Sequence, residues 1–176
     1  MLANCPNLVE VNLPAATYSA TQMCSNDTNL ITANLPNATT INDYSYYNCS
    51  KLKTLASAPL TIINPYSFYN CQSLTNVNIN SESCTFGNHC FENCKSLKSI
   101  KWPSSWSFGN NYVFANSGLE RVNLENVATF GALTRSLFEG CPLTNRLELT
   151  RLLTLSGASL FKNCQKVTDI ICPELT

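Results

Sequence analysis

Apolar residues return along the chain at an almost constant spacing. Eight leucine or valine positions lie 22 to 24 residues apart, at Leu8, Leu30, Leu52, Leu74, Leu97, Leu119, Leu143 and Val167. Self-similarity at a fixed period of this length indicates a repeat architecture, in which each unit buries its apolar face against its neighbours. We therefore predict a solenoid, in which side chains of equal rank form continuous columns.

Each copy also carries the pattern of a short strand. In most copies an apolar residue follows the leucine position by three residues and another follows by five, as at Val11, Ala33, Leu55, Val77, Ile100, Val122 and Ile170, and then at Leu13, Leu35, Ile79, Trp102, Leu124 and Cys172. The seventh copy is shifted by one residue, to Leu147 and Leu149. Apolar positions two residues apart face the same side of a strand. Proline, which cannot donate to a strand ladder, follows in several copies and marks where the strand ends.

A second apolar column predicts a second short strand in each copy. It contains Tyr18, Ile41, Ile63, Phe86, Phe108, Phe130 and Leu155, and threonine or serine precedes most of its members. Asn64-Pro65 then suits the cap and first position of one helical turn. We predict one right-handed array over residues 1–176, with about eight coils, two parallel strands per coil and short helical turns.

Between the second strand and the next leucine position stand an aromatic residue and then Asn-Cys. The sequence from Phe91 through Cys94, Leu97 and Ile100 to Pro103 resembles the repeat signature of the BspA-like class of leucine-rich repeats. Ser117-Gly118-Leu119 is similar to a variant of that signature. The resemblance covers almost the whole chain and implies a leucine-rich repeat solenoid. Proteins of this class are often adhesins that engage host proteins, matrix proteins or neighbouring cells.

Composition excludes some partners. Eleven basic residues balance eleven acidic residues, and only 12% of the chain is charged. Nucleic acids and anionic lipids are bound by basic faces, so we expect neither nucleic-acid binding nor direct membrane insertion. The chain begins and ends within repeats, and we expect a fragment without terminal caps whose uncapped ends could associate end to end.

The ten cysteines have two interpretations, disulfides or buried thiols. Seven of them, Cys5, Cys24, Cys49, Cys71, Cys94, Cys141 and Cys164, are assigned to one repeat position. Equivalent side chains point the same way, whereas a disulfide needs converging Cβ vectors. We therefore predict a file of free thiols that behave as small apolar side chains.

Catalytic and metal-binding signals are weak. Cys84, His89, Cys90 and Cys94 are zinc-type ligands, but they contain no Cys-x-x-Cys pair. His89 is the one histidine in the chain, and neither a nucleophile elbow nor a phosphate-binding loop occurs. We predict a protein that is not an enzyme and has no metal or other cofactor.

Outward-facing residues of the first strand form the candidate partner-binding face. Its members are Asn76, Asn78, Ser99, Lys101, Arg121, Asn123, Arg146 and Glu148. For Asn12, Asn34 and Asn78 we favour a solvated ladder of amides over contact with a partner. The charged end, Lys101, Arg121, Arg146 and Glu148, is the better contact candidate. Trp102 falls on an inward column, and Tyr112 is expected to be exposed.

Two functions remain open from the sequence. The resemblance favours a non-catalytic protein-binding or adhesion module of a cell-surface or secreted protein, with a host, matrix or cell-surface protein as ligand. The alternative is a structural spacer or an intracellular scaffold. Numerous free thiols favour a reducing compartment, which leaves a cytoplasmic location open.

Overall fold

The computed structural model describes residues 2–108, 111–125, 127, 129–130, 134–155 and 157–175. Its strands are β1 Glu10–Asn12, β2 Thr32–Leu35, β3 Thr40–Ile41, β4 Thr54–Ser57, β5 Ile62–Ile63, β6 Ser83–Phe86, β7 Ser105–Phe108, β8 Thr129–Phe130, β9 Asn145–Glu148, β10 Thr154–Leu155 and β11 Val167–Ile171. All paired strands are parallel. They wind into a solenoid of about seven coils. The prediction of about eight was slightly high because the copy at Val167 contributes only β11 among the described residues.

The sheets follow the predicted register. Strands β1, β2 and β4 form one sheet, in which Val11, Ala33 and Leu55 stand opposite one another. Strands β3, β5, β6 and β7 form another, and β8 pairs with β10 and β9 with β11. The described residues contain no helix, and therefore no helix that is long and apolar enough to cross a bilayer. The two predicted strands per coil are therefore confirmed in general, with exceptions in the middle of the array.

The first-strand pattern does not give a regular strand in copies four to six. Val77, Ile79 and Ile100 are buried, yet within the described residues only Ile79 makes a bridge, to Leu60. In the same region β6 and β7 are four residues long, whereas β3 and β5 have two. Pairing in these coils is thus carried by the second strands. Burial of the apolar columns persists without a continuous first-strand ladder.

The segment after Asn64-Pro65 is a series of turns, and the prediction of a helical turn was wrong. Every second N–H closes a local turn, and the N–H groups between them donate to the next coil. The local bonds are Ser67 N to Asn64 O, Tyr69 N to Tyr66 O and Cys71 N to Phe68 O, and the inter-coil bonds are Tyr66 N to Asn88 O, Phe68 N to Cys90 O and Asn70 N to Glu92 O. An α-helix needs consecutive right-handed residues, but Tyr66 and Asn70 have φ of 57° and 59°.

A stack of six aromatic rings runs through the interior. Successive ring centroids lie 5.3 to 5.7 Å apart, with ring planes within 9° of parallel, along Tyr46, Phe68, Phe91, Phe114, Phe138 and Phe161. All but Phe161 are fully buried. Offset-stacked aromatic pairs contribute about 0.5–1.5 kcal/mol beyond their buried area. The predicted superposition of equivalent side chains is confirmed by this stack. Trp102 packs edge-on against Phe114, at 5.5 Å, and is partly rather than fully buried.

Beside the rings lies the predicted file of cysteines. Five of its thiols donate to a backbone carbonyl of the preceding coil at 3.0 to 3.1 Å, with the pairs Cys49 to Cys24, Cys71 to Tyr46, Cys94 to Phe68, Cys141 to Phe114 and Cys164 to Phe138. Ser117 replaces cysteine in one coil, and its hydroxyl lies 3.3 Å from the Cys141 sulfur. All ten cysteines are free, which agrees with the prediction made for the seven assigned to the repeat position.

Two residues were assigned to the wrong column. Cys24 N donates to Ser45 O, and Tyr46 N donates to the equivalent Ser67 O, so Cys24 stands in the aromatic column. The cysteine slot of that coil holds Asp27, which is 0% exposed. Tyr18 pairs with Thr40 rather than with inward-facing Ile41, and its side chain is 59% exposed.

Candidate partner-binding surfaces

The eight predicted contact residues are all exposed, but they do not form one uniform surface. Asn123, Arg146 and Glu148 line a depression of about 280 Å³ together with Val122, Leu124 and Glu125. Arg121 and Arg146 line a second depression of about 230 Å³ with Val122, Thr144 and Leu147. Asn76, Asn78, Ser99 and Lys101 line neither of them. The structure therefore brings together Arg121, Arg146 and Glu148 of the charged end, but not Lys101.

Two ion pairs lie in this region. Arg146 Nε is 3.2 Å from Glu148 Oε1, and the two side chains are 55% and 51% exposed. Lys98 Nζ is 2.9 Å from Glu120 Oε1, and the hydrogen bond from this ammonium lowers the pKa of the Glu120 carboxyl. Exposed pairs of this kind contribute little to stability, so their charges remain available to a partner at small cost.

The favoured ladder of amides is only partly present. Asn34 Nδ2 donates to Asn12 Oδ1 at 2.9 Å, which agrees with the prediction for these two residues. Asn78 instead donates to the backbone oxygen of Ser57 at 3.1 Å. In the first coils, the outward-facing amides of this sheet therefore have hydrogen-bond partners within the protein.

Two of the four zinc-type residues, Cys94 and His89, make other contacts. Cys94 donates to Phe68 O at 3.1 Å, and His89 Nδ1 is hydrogen-bonded to the Glu92 carboxylate. Among the described residues, no group of three or more His, Cys, Asp or Glu side chains is arranged to hold a metal ion. Burial raises the pKa of Cys24, Cys84 and Cys141 to about 12 each. Thiols with such pKa values stay protonated near neutral pH and are poor nucleophiles.

A surface that the sequence reasoning missed lies on the turn after the second strand. We call it the tyrosine patch: Tyr44, Tyr47, Tyr66, Tyr69, His89 and Tyr112, all partly exposed. Tyr44, Tyr66, His89 and Tyr112 stack in one file with centroids 4.5 to 5.0 Å apart. Tyr47 and Tyr69 stack at 5.0 Å in a second file beside it. Tilted contacts of 5.6 to 6.5 Å join the two files into one surface.

The first file occupies a strained backbone position. Its four residues have φ between 55° and 57°, in the left-handed region. Bulky residues rarely adopt this conformation, which costs about 1–2 kcal/mol without a compensating contact. Gln22, Ser136 and Ser159 occupy the same slot in other coils. Four adjacent coils therefore carry a large ring at this left-handed position, and stacking between the rings offsets part of the backbone strain.

The sequence did contain a signal for this patch. Tyr44 and Tyr66 lie eight residues before a leucine position, as does His89, and Tyr47 and Tyr69 lie five residues before one. These columns are aromatic only in the middle of the array, so they do not contribute to a repeat consensus. A search for columns that vary from coil to coil, rather than for those that recur, would have found them. Tyr112 was expected to be exposed and is partly so.

Parallel coils, a stacked aromatic column and a cysteine file define a leucine-rich repeat solenoid. The sequence profile of the BspA type leucine rich repeat region matches six copies, over residues 1–59 and 61–176. The chain therefore belongs to the BspA-type leucine-rich repeat family, as the sequence resemblance indicated. No curated protein sequence matches it at a significant level.

Solved structures support the same fold. The T. pallidum leucine-rich repeat protein TpLRR is 18% identical with a TM-score of 0.59, and the match covers 93% of this chain and 69% of that one. A leucine-rich cell surface protein from Faecalibacterium prausnitzii A2-165 is also 18% identical with a TM-score of 0.57. That match covers 93% of this chain but 38% of the Faecalibacterium protein, so the chain spans well under half of it. At these identities the likeness concerns the fold alone.

Proposed function

We propose that the chain is a non-catalytic protein-binding domain of a cell-surface or secreted protein. The observation that carries the proposal is the charged end of the first-strand face, where Arg121, Asn123, Arg146 and Glu148 are exposed around two adjoining depressions. Solenoids commonly bind partners along extended repeat surfaces. Adhesion to host, matrix or cell-surface proteins is the form of binding that we propose.

The surface location has support of a different kind. One protein with the same fold is described as a leucine-rich cell surface protein. The ten free cysteines argue for a reducing compartment, but nine of them are at least partly buried and Cys5 is the exposed one. A buried, protonated thiol resists oxidation, so this cysteine content is compatible with an extracellular domain.

The test is binding of the purified chain to immobilised fibronectin, collagen and laminin, and to whole epithelial cells. We expect at least one of these probes to bind, and the double variant Arg121→Glu/Arg146→Glu to weaken that binding at least tenfold. Reversal of rim charges should mainly lower the association rate and alter its salt dependence. The matched control is Lys53→Glu/Lys95→Glu, which changes two exposed cations outside the depressions and should leave binding unchanged.

Equal binding by the two double variants would contradict a role for this face. Failure of all the probes would favour the alternative of a spacer without a ligand of its own. Circular dichroism of each variant distinguishes lost binding from lost folding.

A further inference from the structure

The tyrosine patch is a second surface whose chemistry differs from that of the first-strand face. Five of the seven tyrosines of the chain and its one histidine lie in it. Tyrosine is enriched in binding surfaces because a large, amphipathic ring is presented with few rotatable bonds. The patch shares no residue with the surface proposed above.

In three of its four coils the charge is of one sign, whereas the fourth coil, at Tyr112, lies near the ion pair of Lys162 and Glu139 and beside Arg135. The turn segments that form most of the patch are residues 42–49, 64–71 and 87–94, and they contain Asp43 and Glu92 but no lysine or arginine. Glu92 lies beside the aromatic files, hydrogen-bonded to His89 and partly exposed. A partner that fits this surface by charge is therefore cationic.

The hydroxyl groups suit the same partner. Burial, with a smaller effect of neighbouring Tyr44 and Glu92, raises the pKa of Tyr66, and burial followed by Glu92 raises that of Tyr69. Both hydroxyls are therefore protonated near neutral pH, and their oxygens can accept hydrogen bonds from guanidinium or ammonium groups.

We propose that the tyrosine patch binds an extended, arginine- or lysine-bearing segment of a partner protein. The first file crosses four coils at 4.5 to 5.0 Å per step. An extended peptide advances about 3.3 Å per residue, so about four of its residues would span the file. A single small cation would contact only two neighbouring rings, whereas an extended peptide can contact the whole first file.

The test uses a fluorescein-labelled peptide of eight alternating arginine and serine residues, measured by fluorescence polarisation against the whole chain. Its counterpart with glutamate in place of arginine is the ligand control. We expect the arginine peptide to bind, the glutamate peptide to bind at least tenfold more weakly, and added salt to weaken the arginine complex.

Tyr66→Asn is the informative variant because asparagine tolerates a left-handed backbone. It should reduce affinity for the arginine peptide at least tenfold while the chain stays folded. Glu92→Gln should also weaken binding and flatten its salt dependence. Ser159→Asn is the matched control, since it places the same residue in the same backbone slot outside the patch, and it should leave affinity unchanged.

Equal binding by Tyr66→Asn and the unsubstituted chain, or equal binding of the two peptides, would overturn the proposal. In that case the stacked rings serve only to hold adjacent coils together, and Tyr66→Asn would alter unfolding alone. Arg121→Glu/Arg146→Glu should not affect the arginine peptide, so failure of either proposed surface can be distinguished from failure of the other.

Discussion

At the scale of single residues, the cysteine slot has a defined hydrogen-bonding requirement. Its side chain faces a backbone N–H and a backbone carbonyl of the preceding coil, and a thiol can serve both. Asp27 stands in this slot, where its Oδ1 accepts the N–H of Cys5 at 2.6 Å. Its Oδ2 is buried and has no hydrogen-bond partner among the described residues. A carboxylate cannot donate to the carbonyl, whereas a carboxylic acid can.

We expect this mismatch to make stability depend on pH. Burial raises the pKa of Asp27 above its usual 3.8, and burial also raises the pKa of the nearby Cys24 and Cys49 thiols, which are therefore neutral in this range. The folded state therefore binds the proton more tightly than the unfolded state. The stability contributed by this tighter proton binding is fully present below the pKa that Asp27 has in the unfolded state. It is lost as the pH rises through the pKa that Asp27 has in the folded state.

The prediction is tested with Asp27→Cys, which restores the residue type of the column. Urea unfolding between pH 3 and pH 8 should show this variant to be more stable near neutral pH by about 1–3 kcal/mol, the cost of an unpaired buried polar group. Its stability should also lack the decline that we expect for the unsubstituted chain. Asp43→Asn, at a partly exposed carboxylate, should retain the decline, and a decline of equal size in Asp27→Cys would refute the explanation.

Asp27 also illustrates what could be read from the sequence at this scale. Counting back three residues from Leu30, as from Leu52 to Cys49, arrives at Asp27. The prediction followed residue type instead of spacing and chose Cys24. Residue type was a reliable guide for Cys49, Cys71 and Cys94, because there type and spacing agree.

At the scale of elements, each coil depends on two left-handed residues in its turn. The second of these slots holds Asn4, Asn26, Asn48, Asn70, Asn93, Asn116 and Asn163, and Gly140 in one coil, with φ from 54° to 68°. Asparagine and glycine are the residues that adopt this conformation most readily. Asn48 and Asn70 also donate their amides along the array, to Asn26 and Asn48, at 3.0 Å. Asparagine before cysteine is thus a requirement of the turn.

Substitutions at Asn70 should separate the two roles of this residue. Asn70→Ala should lower the free energy of unfolding by about 1–2 kcal/mol for the left-handed backbone, and further for the lost amide bonds. Asn70→Gly should lose only the amide bonds, because glycine adopts this backbone freely. Chemical denaturation monitored by circular dichroism measures both. Equal losses in the two variants would show that the backbone conformation carries no cost.

The turn also marks the limit of local sequence rules. Asn64-Pro65 satisfies the rules for a helix start, and the two following residues do not violate them. The helix is prevented by Tyr66 and Asn70, whose left-handed conformations direct alternate N–H groups to the next coil. Those inter-coil bonds exist only when coils are stacked. A rule that considers one turn alone has no access to them.

At the scale of the whole molecule, the cysteine file should make the chain resistant to thiol reagents. Seven cysteines are buried, Cys164 and Cys172 are partly buried and Cys5 is exposed. With a chromogenic disulfide reagent at pH 8, we expect one fast-reacting thiol and two slower ones in the folded chain. All ten should react in denaturant. Cys5→Ser should abolish the fast phase, and fast labelling of Cys49 in the folded chain would contradict the structure.

The global architecture was more predictable than the surfaces. Columns such as Phe68, Phe91 and Phe114 recur because every coil must fill the same interior space, so repetition reveals them. The strand loss around Ile100 and the depressions near Arg146 depend on differences between neighbouring coils, which repetition conceals. The tyrosine patch belongs to the same category. Function in a repeat protein depends on such local departures, and a single sequence gives no measure of which departures matter.

In the first coils, hydrogen-bond partners in neighbouring coils are separated by a constant number of residues, and this spacing affects how the number of coils can change. Asn26, Asn48 and Asn70 are joined across intervals of 22 residues, as are the backbone partners in β2 and β4. If one such interval were excised or duplicated in the gene, each donor would still meet an acceptor of the same kind. Growth and shrinkage by unequal crossing-over are therefore tolerated by the interior, while the outer face is free to diversify.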